Sequence, residues 1–149
     1  GDAMTIYFAS DHAGFSLRQT LLAHVQATGH DVVDLGPEKA SSVDYPDFGV
    51  KLATALQQDD AGYGIAICGS GIGISMALNQ FSWVRAALVS QPLAAALARQ
   101  HNDANVLALG ERLIEPDIAK QCVDHFLDTE FEGGRHQRRV AKLSQIGEK

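Results

Sequence analysis

A three-layer α/β sandwich, with a five-stranded parallel sheet between two layers of helices, is the fold this sequence predicts. Three observations lead to it. Short apolar runs alternate with helical patterns along the whole chain, prolines stand near the starts of several of those helices, and a glycine-rich turn follows the third apolar run. Alternation of this kind implies βαβ units, whose crossover helices cover both faces of a parallel sheet.

Residues 5–9 are the first apolar run, and residues 15–28 carry the helical pattern after it, with Asp11 placed as its cap and Gly29 just past its end. Residues 32–35 form the second strand. Residues 36–44 contain no periodic pattern and are expected to be a surface loop. The next helix covers residues 46–58 and opens on Pro46; residues 64–67 are the third strand, and residues 72–79 a short helix. Residues 84–89 and 105–109 are the last two strands, each followed by a helix that starts at a proline: Pro92 for residues 92–100 and Pro116 for residues 116–127. Residues 135–146 read as a final polar helix. Five strands with these connections make a Rossmann-like sheet, in which ligands gather beyond the carboxyl ends of the strands.

Composition agrees with one domain over residues 4–149. The chain has 149 residues, 46% of them hydrophobic and 20% charged, enough to bury a substantial core. Its net charge of −6 argues against nucleic acid or an anionic membrane as partner, since either needs a broad basic face. Two cysteines, without a signal peptide or a long apolar run, suit a reducing cytoplasm. Gly1-Asp2-Ala3 before Met4 reads as a cloning remnant.

The most informative stretch is Gly64-Ile-Ala-Ile-Cys68-Gly-Ser-Gly-Ile-Gly-Ile-Ser75. An apolar strand ends on a cysteine and breaks into alternating glycines, which let backbone N–H groups approach an anion while the following helix points its positive end at the same place. Cys68 alone would more often be a small buried residue closing a strand, but before this turn it is a candidate thiolate base or nucleophile. A dinucleotide fingerprint fails, because Ile74 stands where Gly or Ala is needed and Ser90-Gln91 where an acid should follow the next strand. A Walker loop fails for want of Lys-Ser or Lys-Thr. A smaller anion remains: a phosphate, a carboxylate or a developing oxyanion.

Other candidates fall at the same end of the sheet. Asp11 and His12 follow the first strand, and Glu111-Arg112 the fifth. Arg135 and Arg139 are four apart, one side of a helix, and with Arg112 would clamp a phosphate, although a charge run is ordinarily a solvated face. His101-Asn102-Asp103 alone is an ordinary loop. His24, His30 and His125 have no supporting context, Cys122 is expected to pack, and without a tight Cys/His cluster no zinc site is expected.

Taken together, Ser10-Asp11-His12-Ala-Gly, Asp44-Tyr45-Pro46, the Cys68–Ser75 segment, Arg99-Gln-His-Asn-Asp103, Asn105-Val-Leu-Ala-Leu-Gly-Glu-Arg112 and Glu132-Gly-Gly-Arg-His-Gln-Arg-Arg139 follow one another in a telling order. The chain resembles the sugar-phosphate isomerase family of ribose-5-phosphate isomerase B and the galactose-6-phosphate isomerase subunits. The resemblance runs from Met4 to about Val140. It implies metal-free, cofactor-free interconversion of aldose and ketose phosphates of the pentose phosphate pathway, through a cis-enediolate. By that analogy Cys68 moves the proton between C2 and C1, Ser70 relays the hydroxyl proton, and His101 opens the sugar ring. The N–H groups of Gly69, Gly71, Ile72 and Gly73 would hold the enediolate oxygen; Asp11 and Asn102 would orient hydroxyls and Tyr45 line the pocket. His12, Arg112, Arg135 and Arg139 fall on the phosphate-binding positions.

The chain departs from its relatives in two places. A branch of the family replaces the cysteine's role with a Glu at the position of Ile74, and Asn79-Gln-Phe-Ser-Trp83 differs from the commoner Asn-Lys-Phe-x-Gly. Three readings follow: a pentose-phosphate isomerase, which is favoured; a hexose-6-phosphate isomerase acting on allose or galactose 6-phosphate; and a non-catalytic sugar-phosphate-binding protein, which the intact Cys68, Ser70 and His101 disfavour. Chain order adds a geometric expectation. Cys68 ends the third strand while His101 precedes the fifth, so they belong to opposite ends of a sheet whose strands span ~17 Å. A homodimer, or a dimer of dimers, with shared sites is the arrangement that would unite them.

Overall fold

The computed structural model describes residues 4–146; the remnant expected at residues 1–3 lies outside the described residues. Its elements are β1 (Thr5–Ser10), a 3-10 turn (His12–Gly14), α1 (Phe15–Gln26), β2 (Asp31–Asp34), α2 (Tyr45–Gln58), β3 (Tyr63–Cys68), α3 (Ile72–Leu78), β4 (Ala86–Leu88), α4 (Pro92–Asn102), β5 (Val106–Gly110), α5 (Pro116–Asp128) and α6 (Arg135–Ile146). All strands are parallel, in the order β2-β1-β3-β5-β4.

The alternation of side chains along each central strand divides the core in two. Ile6 and Phe8 of β1, Ile65 and Ile67 of β3 and Leu107 and Leu109 of β5 face α1, α4 and α5, where Leu21, Ala95, Val123 and Phe126 are buried. The intervening Ala9, Ala66 and Cys68 face α2 and α3, against Leu52, Leu56, Ile74 and Leu78. Helices on both faces complete the three layers. α6 lies outside them, against α4.

Most boundaries shift by a residue or two, and three departures from the sequence reading have a visible cause. Residues 84–89 form a strand only at Ala86–Leu88, because Asn105 Oδ1 takes the Arg85 amide at 2.7 Å and Asn79 brackets Ala86 through both its side-chain atoms at 2.8 and 3.0 Å. The Arg85 carbonyl still accepts from the Asn105 and Val106 amides, so side chains take over only part of the bonding there. α1 stops at Gln26, where the Thr28 amide and hydroxyl both turn back onto the Val25 carbonyl, and Gly29 continues the turn at φ +92°. Asp11 caps the 3-10 turn rather than α1 itself: its Oδ1 accepts from the Gly14 amide at 3.1 Å. The capping chemistry is as expected, one turn earlier.

The sheet order decides where the site sits. From β1 the chain crosses to β2 on one side and, through α2, to β3 on the other, so the carboxyl ends of β1 and β3 form the crevice at which parallel sheets bind ligands. No helix among the described residues is long and apolar enough to cross a membrane.

Candidate active site

That crevice is occupied by the residues the sequence singles out. A cavity of about 310 Å³ is lined by Asp11, His12, Ala13, Tyr45, Cys68, Gly69, Ser70, Gly73, Arg112 and Leu113. A larger, more apolar cavity of about 440 Å³ lies by β4 and α6, but it gathers no candidate base, so the smaller one is chosen on its chemistry.

The β3 and β5 exits are laced together by their backbones. The Glu111 amide donates to the Cys68 carbonyl and the Arg112 amide to the Gly69 carbonyl, each at 3.0 Å, extending the Cys68–Gly110 register beyond the sheet. The Glu111 carboxylate also accepts from the Leu17 amide at 2.6 Å, which anchors this loop to α1. Arg112 is thereby brought over Gly69, where a Cβ on the glycine would lie 2.9 Å from a guanidinium nitrogen. Arg112 and Cys68 line the same cavity because two loops are stitched into one wall.

The glycine turn is shaped by close contacts. Gly71 has φ +77°, and a Cβ there would meet the Leu109 carbonyl carbon at 2.8 Å; at Gly73 a Cβ would strike the Tyr45 ring at 2.7 Å. The turn is therefore able to pass under both. The Gly71 amide donates to Cys68 Sγ at 3.2 Å and the Ile72 amide to Ser70 Oγ at 3.2 Å. These two N–H groups are already engaged, which narrows the oxyanion cradle expected from Gly69, Gly71, Ile72 and Gly73. First-turn amides such as that of Gly73 have no acceptor within the helix and remain to meet an oxygen.

On the opposite wall, the Asp11 carboxylate is buried, and with Oδ1 on the Gly14 amide its second oxygen remains for a hydroxyl. His12 Nδ1 lies 3.2 Å from both the amide nitrogen and the carbonyl oxygen of Val43. Either tautomer finds a partner there, leaving Nε2 for a ligand. Arg18, fully buried, ties this wall from behind by donating to Ser10 Oγ at 2.7 Å and to the Pro37 carbonyl, with Asp34 Oδ1 3.1 Å from its Nε.

The remaining candidates are elsewhere in the chain. His101 and Asn102 end α4, four residues before β5 begins at Val106, whereas Cys68 is level with Gly110 at the far end of that strand. Arg99 and Asp103 hold this helix end: their ion pair is 2.8 Å, Arg99 also donates to the Ala104 carbonyl at 2.7 Å, and Asp103 adopts φ 47°. Arg135 and Arg139 are exposed on α6, which packs on α4. The clamp of Arg112, Arg135 and Arg139 is therefore not assembled within one chain. The sequence reading joined them by helical spacing and by the fit of guanidinium groups to a phosphate, and the sheet separates Arg112 from the other two.

Two neighbours of His101 escaped that reading. The His136 ring stacks on it at 4.5 Å with 12° between planes, and Glu132 Oε1 lies 3.9 Å from His101 Nε2 and 3.7 Å from His136 Nε2. Desolvation, and then the charges of His101 and Arg135, hold the His136 pKa below its ordinary value. The i,i+4 spacing of Glu132 and His136 was the available signal; their approach to His101 was not legible. His24, given no context by the sequence, pairs with Asp124 at 2.7 Å.

Comparison with known proteins agrees with this layout. The family model described as Ribose/Galactose Isomerase matches residues 6–143. The chain belongs to that isomerase family. It is 43% identical to ribose-5-phosphate isomerase B of Escherichia coli (strain K12), over 95% of each chain. The solved ribose-5-phosphate isomerase B of Clostridium thermocellum superposes with a TM-score of 0.94 at 45% identity, covering 96% of this chain and 97% of that one. That of Mycoplasma genitalium, with bound ribulose-5-phosphate, does so with 0.93 at 42% identity, covering 98% and 97%.

Both departures of this family member fall in its packing. Ile74 is wholly buried in the α2/α3 layer, so its side chain stands outside the cavity. Trp83 donates from Nε1 to the Ala53 carbonyl at 2.7 Å and leans on Phe81, bracing α2 against the turn after α3.

Proposed function

We propose that this chain interconverts ribose 5-phosphate and ribulose 5-phosphate through a cis-enediolate. The observation that carries this is the single small cavity that gathers Cys68, Ser70, Asp11, His12, Tyr45 and Arg112. It offers a base, a hydroxyl, hydroxyl-binding groups and cations for a phosphate. The Cys68 thiolate takes the proton from C2 and returns it to C1, while the hydroxyl proton moves from O2 to O1 through Ser70. Turn amides still free at Gly69 and Gly73 stabilise the oxygen as charge develops on it. His12 and Arg112 begin the phosphate site; the reaction needs neither metal nor cofactor. A pentose is preferred over a hexose because the relatives quoted carry ribose 5-phosphate in their names and one was solved with ribulose-5-phosphate.

His101, Asn102, Arg135 and Arg139 join this site from a second copy of the chain in our reading. Beside the cavity, exposed Ile72, Leu88 and Leu113 line one apolar groove, and Met76 lies one turn on from Ile72. An apolar face next to an incomplete site suits a partner copy in a homodimer or dimer of dimers. The reading places the enzyme in the cytoplasm. Turnover of ribose 5-phosphate against allose 6-phosphate and galactose 6-phosphate, with binding measured separately, tests the assignment. Preference for ribose 5-phosphate is expected; a hexose preference, or binding without turnover, replaces it.

A further inference from the structure

The end of α4 carries a cluster whose parts come from distant stretches of sequence. His101 ends the helix, Glu132 lies in the segment before α6, and His136 is in the first turn of α6. Backbone bonds bring them together: the Glu132 amide donates to the Gln100 carbonyl at 3.1 Å, and the His136 amide to the Gly133 carbonyl at 3.1 Å. One ligand-type atom from each residue lies within 4.8 Å of the other two. His136 is buried, 8% exposed, and its Nε2 has no hydrogen-bond partner although Glu132 Oε1 is 3.7 Å away. A buried imidazole nitrogen thus faces another imidazole and a carboxylate at distances too long for hydrogen bonds, an arrangement of donor atoms around one point.

We propose that His101, Glu132 and His136 form a three-ligand site for a borderline divalent cation such as Zn²⁺, and that its occupancy withdraws His101 from the sugar. The second half rests on the reading of His101 as the ring-opening residue. Two imidazoles and a carboxylate with an open fourth position are a donor set Zn²⁺ accepts, at ~2.0–2.2 Å per ligand. Tetrahedral bonds of that length place donors ~3.4 Å apart, so the 3.9 and 3.7 Å edges to Glu132 close by about 0.5 and 0.3 Å, and the edge between the imidazoles, within 4.8 Å, closes with them. The stacked imidazoles, 12° from parallel, must also tilt to aim both nitrogens at one ion. His101, 41% exposed at a helix end, and Glu132, 52% exposed, have room to make that change. Arg135 and Arg139 stand near His136 and oppose a cation; the Glu132 carboxylate offsets them locally.

Binding is tested apart from turnover by titrating Co²⁺ into the full-length Cys68→Ala variant, which removes the reactive thiol as a competing ligand. One Co²⁺ per chain with tetrahedral visible absorption is expected. Glu132→Gln and His136→Ala should each weaken it by roughly 100-fold, because even outer partners of metal sites cost 10–100-fold. Absence of stoichiometric binding, or binding unchanged in both variants, overturns the site; Glu132→Gln, altering an exposed side chain, keeps the test open if His136→Ala fails to fold. Inhibition is then read on ribose 5-phosphate with the wild-type protein. Zn²⁺ should abolish most turnover, EDTA should restore it, and Glu132→Gln should resist. Equal inhibition of Glu132→Gln assigns the effect to Cys68 and overturns the regulatory half, while the Co²⁺ result stands or falls by itself whatever sugar the enzyme uses.

Discussion

Cys68 and Cys122 carry the same thiol and are both buried, but only Cys68 borders a cavity. Cys122 is wholly buried on α5, and desolvation pushes its pKa up to about 11. Below that pH it is a packed apolar residue. Cys68 instead lines the cavity, with its sulfur accepting the Gly71 amide. Iodoacetamide at about pH 8 should therefore label one cysteine of the native protein, and sugar phosphate should protect it. Mass spectrometry showing Cys122 modified in folded protein would contradict this account. Cys68→Ala should still bind sugar phosphate yet lose roughly 10²–10⁴-fold or more in kcat, the scale of general-base catalysis; near-normal turnover would remove Cys68 from the mechanism.

Among the elements, the turn between β3 and α3 has little room to change. Gly71→Ala combines a left-handed backbone with contacts of 2.5 Å to the Leu88 side chain and 2.8 Å to the Leu109 backbone. The strain alone costs about 1–3 kcal/mol, and the Leu109 backbone has nowhere to go. Chemical denaturation should show a loss of at least that size; an unchanged midpoint would mean the turn relaxes freely. On α6 the effect is expected on binding rather than folding, since the proposed phosphate ligands Arg135 and Arg139 are exposed. Each Arg→Ala change should raise KM roughly tenfold or more, the equivalent of one charge-assisted hydrogen bond of about 1.5–3 kcal/mol, with some loss in kcat because the phosphate also positions the reacting carbons. Unchanged kinetics in both would return this helix to a solvated face.

For the molecule as a whole, the separation of Cys68 from His101 along the five residues of β5 has a kinetic consequence. Mixing inactive Cys68→Ala and His101→Ala proteins under conditions that exchange subunits should restore activity, because in the shared-site homodimer proposed above one site of the heterodimer would have both residues. No recovery despite exchange shown by mass spectrometry would mean that each chain completes its own site. The apolar groove of Ile72, Leu88 and Leu113 beside the cavity is where that partner is expected to seat.

Local chemistry was enough to read the five strands, all six helices and the crevice residues Asp11, Cys68, Ser70 and Arg112, because periodicity, proline starts and a glycine turn are properties of neighbours in sequence. Even the opposite placement of His101 and Cys68 followed from the order of a parallel βαβ chain. Strand order did not follow, nor did the shortening of β4 by Asn79 and Asn105, nor the gathering of His101, Glu132 and His136 at one helix end. Those depend on which elements pack side by side. The alternation of apolar residues fixes which faces of a strand are buried but says nothing of its neighbour, and it is the neighbour that brings residues 31 to 35 positions apart to one point.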